Sequence, residues 1–225
     1  TKGLILITPN SPTGAMLPRE TLEGIAEAAI QHDLLVVADE IYEKFVYDGW
    51  QHVSIASLPG MWERTITVGG FSKHYAMTGW RVGYLTGPAE IVQKMVAIKH
   101  SMTICAPSVS QWAALEAVTG PMGWWEPVID GFRQRRTMWM EALDGMGLTY
   151  GLPKGAFYIF ANVTSTGMTG TEFARALRQE ARVLVGAGDS SGNNDYVRVS
   201  FNAGADLLQE GLARMSTAIA SWKNQ

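Results

Sequence analysis

Three short apolar runs, each closed by turn formers or by a charged residue, constrain this chain more than any other feature. Leu4 to Ile7 ends at Thr8-Pro9-Asn10-Ser11-Pro12-Thr13-Gly14. Leu34-Leu-Val-Val-Ala38 ends at Asp39-Glu40, and Thr65-Ile-Thr-Val68 ends at Gly69-Gly70. Continuous apolar or β-branched runs of this length, bounded by turn signals, read as buried strands. Between the first two lies a helical pattern. Pro18 occupies a tolerated first-turn position, Glu20 sits near the positive end of the helix dipole, and Leu22, Ile25, Ala26 and Ala29 keep helical spacing. Strands joined by helices or long crossovers form a parallel sheet covered on both faces, so an α/β architecture is expected. In such sheets the ligand crevice forms outside the carboxyl ends of the strands. Asn10 and Ser11, Asp39, and Lys73 each follow the end of such a run, which would bring an amide or hydroxyl, a carboxylate and an amine to one edge.

The later chain differs in character. Helical patterns cover roughly Pro88 to Lys99, Ser108 to Val118 and Trp124 to Met146, the last with Val128, Phe132, Trp139 and Leu143 on one side. Gly155 to Ala161 and Tyr196 to Phe201 read as strands around a helix at Thr171 to Arg182, and a last helix runs from about Asp206 to Trp222. The chain therefore divides into residues 1–121, part of a large cofactor-binding domain, and residues 122–225, a connecting helix with a small α+β domain. The opening TKGLILITPN enters a buried strand without a polar lead-in, so the chain is read as the later part of a longer protein.

Composition narrows the function classes. A hydrophobic share of 47%, a charged share of 17% and a net charge of -3 describe an ordinary globular chain with no bias toward a polyanionic partner. Arg133, Arg135 and Arg136 are the only clustered cations, and they read as a solvated helical face rather than a nucleic-acid patch. Cys105 is the sole cysteine, which fits a reducing compartment, and the four histidines show no metal-ligand spacing, so no metal is expected. No apolar run reaches the length needed to span a bilayer. A cytoplasmic location is the expectation.

The stretch Gly70-Phe-Ser-Lys-His-Tyr-Ala-Met-Thr-Gly-Trp-Arg-Val-Gly-Tyr84 places an amine near a sheet edge and a guanidinium close after it. A lysine amine can form a Schiff base with an aldehyde cofactor, and pyridoxal phosphate also needs a carboxylate for its ring nitrogen and a multi-donor cation for its phosphate. Five segments in order then resemble the class I/II aminotransferases, the fold-type I enzymes dependent on pyridoxal 5'-phosphate. They are Pro9-Asn-Ser-Pro-Thr-Gly14, Ala38-Asp-Glu-Ile-Tyr42, Ser72-Lys73 through Tyr84, Gly155-Ala-Phe-Tyr158 and Val197-Arg-Val-Ser200. The resemblance spans nearly the whole chain and implies roles residue by residue. Lys73 would form the Schiff base and move the proton between the substrate α-carbon and the cofactor. Asp39 would pair with the pyridinium nitrogen, Tyr42 would hydrogen-bond the phenolic oxygen, and Arg81 would hold the phosphate. Arg198 would take the substrate α-carboxylate as a bidentate fork, and its place in an apolar strand calls for a partner if it is buried.

Two positions depart from the family pattern. Ser11 stands where the family usually has the asparagine that contacts the cofactor's phenolic oxygen. That leaves open a lost contact, a water-mediated one, or one taken over by Asn10. Gly70 stands where many relatives have a serine or threonine on the phosphate. The resemblance implies transfer of an amino group between an L-amino acid and a 2-oxo acid in a homodimer, without nucleic-acid or membrane partners. A β-lyase or synthase of the same fold, or a non-catalytic cofactor-binding regulatory domain, shares these motifs.

Overall fold

The computed structural model describes residues 1–222, which form two compact units. The first comprises Thr1–Pro9 and Met16–Trp124, and the second comprises Asn10–Ala15 and Trp125 onward.

The first unit is a four-stranded sheet of order β1-β2-β3-β4, with β1 at Gly3–Ile7, β2 at Leu35–Asp39, β3 at Thr65–Gly70 and β4 at Gly83–Thr86. The first three strands are parallel, in a register that pairs Ile7 with Asp39 and Asp39 with Val68. The register brings the ends of β1 and β2 level, with β3 running on to Gly70. Strand β4 returns antiparallel to β3, pairing Gly70 with Gly83. It is a short strand opening on glycine, and its pattern did not announce it. Helix α1 (Arg19–Gln31) buries Leu22, Ala26 and Ala29 against Val36 and Ala38 on one face of the sheet, with Ile55, Leu58 and Met61 completing that core. Helices α2 (Ala89–Thr103) and α3 (Ser108–Thr119) follow β4. Helix α2 buries no residue and α3 buries only Ser110 and Ala114.

The second unit is built on α4 (Trp125–Met146), an antiparallel sheet of order β5-β6-β8-β7, and α6 (Ala205–Trp222). Its strands are β5 at Thr149–Tyr150, β6 at Tyr158–Asn162, β7 at Gly186–Ala187 and β8 at Tyr196–Ser200. Helix α5 (Gly170–Ala176) starts at a capping box, Thr169 with Glu172, and widens into a π turn over Leu177–Ala181. The stripe that α4 buries is Ile129, Arg136, Trp139, Leu143 and Met146, whereas Val128 is exposed. The arginine trio is likewise not a uniform solvated face. Arg133 pairs with Asp130 and Glu126 at the surface, Arg135 donates to the Phe201 carbonyl at 2.9 Å and stacks on Phe132, and Arg136 is buried.

Segment Asn10–Ala15 belongs to this second unit because Gly14 is locked into it. The Gly14 carbonyl accepts from the Lys154 and Gly155 N–H groups at 2.8 and 2.9 Å. Gly14 has φ +69, and a Cβ there would lie 2.6 Å from Pro153 Cβ and 2.8 Å from the Tyr158 carbonyl oxygen. Only glycine satisfies both demands.

Candidate active site

Four of the expected site residues fall in the first unit. Asp39 is the last residue of β2, half-buried, and its Oδ1 accepts the Ile41 N–H at 3.1 Å. That bond closes an Asx-type turn and fixes the carboxylate; the other oxygen has no protein donor among the described residues. Tyr42 is buried one turn later and packs edge-on against Phe45 at 6.3 Å. Lys73 lies just past β3, half-buried, with Nζ 5.5 Å from the centre of the Tyr42 ring. That distance is within the range of a cation–π contact. Arg81 is exposed and adopts a left-handed backbone at φ 51, which turns the chain from the Thr78–Trp80 turn into β4. Its Nη1 donates to the Thr78 carbonyl at 2.8 Å, and no other protein partner engages the guanidinium among the described residues. A carboxylate, a phenol, an amine and a guanidinium thus follow the carboxyl ends of adjacent parallel strands.

The glycine at position 70 has a local cause. A Cβ there would approach Gly83 Cα, in the paired strand, to 3.3 Å and Ile41 Cδ1 to 3.1 Å. Gly69 is tighter still: the Tyr84 ring lies across it, and a Cβ would meet Tyr84 Cζ at 2.5 Å. Tyr84 is an element of this region that the sequence did not single out. Burial first, then the Glu43 and Glu40 carboxylates, push its phenol pKa up. His74, beside Lys73, is buried in a cluster with Tyr75 and Trp124. Burial and then the Lys44 ammonium lower its pKa to about 4. It is therefore neutral at neutral pH and adds no charge next to the lysine.

The remaining two expected residues fall in the second unit. Arg198 is on β8 between buried Val197 and Val199, so it points to the open face of the sheet and is exposed rather than buried. The need for a buried counter-charge disappears. Its guanidinium stacks over the Tyr158 ring at 4.7 Å and its Nη1 approaches the Ser11 hydroxyl at 3.4 Å, a long hydrogen bond. Ser11 is thus tied to the arginine. Asn10 is also engaged locally: its Oδ1 accepts from the Thr13 hydroxyl at 2.7 Å and from the Thr13 N–H at 3.3 Å, holding the turn that leads to Gly14. Tyr158 is the residue the sequence reading missed here. Its link to Arg198 depends on β6 pairing with β8, in a register that sets Phe160 opposite Arg198 and Tyr158 two residues along on the same face.

The profile of the family described as aminotransferase class I and II matches residues 1–215. This chain belongs to that family. It is 43% identical to an aromatic-amino-acid aminotransferase 2 of Thermococcus litoralis and 42% identical to an aspartate aminotransferase of Pyrococcus abyssi, in each case over 99% of this chain and 58% of the relative. Among solved structures, an aromatic aminotransferase from Pyrococcus horikoshii superposes with a TM-score of 0.96 at 41% identity, covering 99% of this chain and 61% of that one. The chain thus spans a little under three-fifths of the length of the curated relatives it matches. Membership implies dependence on pyridoxal phosphate. Among the described residues no helix is long and apolar enough to cross a membrane.

Proposed function

We propose that this chain carries the lysine-bearing part of a pyridoxal-phosphate-dependent aminotransferase that moves an amino group between an L-amino acid and a 2-oxo acid. The observation that carries the reading is the half-buried Lys73 beyond β3, with its amine 5.5 Å from the Tyr42 ring centre and Asp39 ending the neighbouring strand. The names of the relatives favour transamination over the β-lyase, synthase and regulatory readings. Residues 1–121 would be part of the large cofactor-binding domain and residues 122–225 the connecting helix and small domain. A cytoplasmic homodimer is the proposed working form.

The donor set fits the cofactor. The Asp39 oxygen left without a protein donor would accept from the ring nitrogen, and the Arg81 guanidinium retains Nε and Nη2 for a phosphate. When bound, pyridoxal phosphate supplies the electron sink for charge developing at the substrate α-carbon. The Lys73 amine would take the proton from that carbon and return it, as general base and then acid. The Tyr42 hydroxyl would donate to the phenolic oxygen. Arg198 would grip the substrate α-carboxylate in a fork, with Tyr158 fixing the plane of the guanidinium and Ser11 its direction. Neutral His74 keeps a second positive charge away from the lysine. Ser11 remains a candidate cofactor contact as well.

Borohydride reduction of the chain in the presence of pyridoxal phosphate, followed by peptide mapping, tests this reading. The expected result is a pyridoxyl adduct on Lys73, with loss of the visible absorption band in Lys73→Ala. Adducts spread evenly over Lys44, Lys94, Lys99 and Lys154 would sink it.

A further inference from the structure

The turn that carries Asp39 and Tyr42 also carries two carboxylates that the proposed chemistry does not use. Glu40 and Glu43 are one turn apart, held by the Glu43 N–H donating to the Glu40 carbonyl at 2.9 Å. Glu40 is 6% exposed, and its Oε1 meets no donor. His52 comes from the following loop, with Nε2 3.0 Å from Glu40 Oε2. Close as that approach is, the ring N–H is not aligned on the oxygen, and neither imidazole nitrogen completes a hydrogen bond. The Lys44 ammonium is 3.9 Å from Glu43 and half exposed at the surface. A buried carboxylate and a nearly buried imidazole, both short of partners, are costly unless something else satisfies them.

One ligand atom from each of Glu40, Glu43 and His52 lies within 4.8 Å of the others. A tetrahedral ion with bonds of about 2.1 Å sets its ligand atoms about 3.4 Å apart, so closing the set needs at most about 1.4 Å of side-chain movement, within reach of rotations in two glutamates and a histidine. We propose that Glu40, Glu43 and His52 form a site for a divalent metal of the zinc type, which braces the segment bearing Asp39 and Tyr42. Two carboxylate oxygens with one imidazole nitrogen suit Zn²⁺. The hard ions Mg²⁺ and Ca²⁺ prefer larger all-oxygen shells. Sequence patterns for metal sites weight cysteine and histidine spacing, and this set has one histidine, nine residues beyond Glu43. The proposal does not depend on the aminotransferase reading.

Calorimetric titration of Zn²⁺ into the chain, without pyridoxal phosphate and in a non-chelating buffer, tests it. The expected result is one saturable site with a Kd of micromolar or below, weakened at least about tenfold in Glu43→Gln and in His52→Gln, and a rise in Tm with Zn²⁺ that both variants lose. Glu43 is partly exposed, so its amide variant retains the fold and isolates the ligand effect. Mg²⁺ should give no comparable site. Absence of one-to-one binding, or binding unchanged in the two variants and hence located at other histidines such as His32 or His100, would overturn the proposal.

Discussion

Helices α2 and α6 carry comparable apolar content and use it in opposite ways. In α6 the apolar residues Leu208, Leu212, Met215 and Ile219 recur along one stripe and are all buried. In α2, Ile91, Val92, Met95, Val96, Ile98 and Met102 are distributed more widely and none is buried, with Met102 76% exposed. Helix α3 adds Val109, Trp112, Leu115 and Val118 to the exposed side. An apolar surface this extensive is uncommon on a monomer and marks a place meant to be covered. The two units therefore differ in completeness. The second closes its own core, while the first, which carries Asp39, Tyr42, Lys73 and Arg81, leaves apolar surface open.

If that contrast holds, core substitutions in the second unit should carry the largest stability cost. Phe201 is fully buried against Phe132 and Phe157, and Phe201→Ala should cost about 3–5 kcal/mol in denaturant unfolding. Gly14→Ala should come next, at about 2–3 kcal/mol, from overpacking against Pro153 and the strain of a positive φ. A loss of less than about 0.5 kcal/mol would mean that the segment does not belong to the second unit. In the first unit, His74 should make stability depend on pH. It is neutral in the fold down to about pH 4 but protonates near pH 6.5 when unfolded, so stability falls as pH drops through that window. Replacing it with Gln should flatten the slope there while leaving the profile above pH 7 unchanged. The smallest effect should be at Trp112, 71% exposed on α3: Trp112→Ser should move stability by less than about 0.5 kcal/mol and reduce binding of a hydrophobic dye. A core-sized loss at Trp112 would break the comparison.

The first three strands and the residues that follow them were legible because continuous apolar runs and turn formers act locally. Asp39 and Lys73 could be placed from those signals alone. Strand β4 was not legible, since Gly83 to Thr86 gains its identity only by pairing with β3. Arg198 shows a different gap. The alternation Val197-Arg198-Val199 already encodes an outward arginine, but reading the strand as apolar hid it. Arg136 reads as surface in the sequence because its neighbours Arg133 and Arg135 are polar in the same run, and helical phase alone separates them. The links from Tyr158 and Ser11 to Arg198 join residues 40 and 187 positions apart, and no local pattern carries them.

The excursion of Asn10–Ala15 into the second unit alters how this protein can be divided. Its chain passes between the units three times, after Pro9, after Ala15 and after Trp124. After a single nick at Trp124, residues 125 onward would stay bound to the earlier chain non-covalently, through the hydrogen bonds of Gly14 and Ser11. A polypeptide starting at Trp125 would lack the carbonyl that receives the Lys154 and Gly155 amides and the hydroxyl that meets Arg198. Arg198 is thus wired to a stretch of chain that precedes Lys73 by about sixty residues, so a cut at the boundary after Trp124 separates it from its hydroxyl partner.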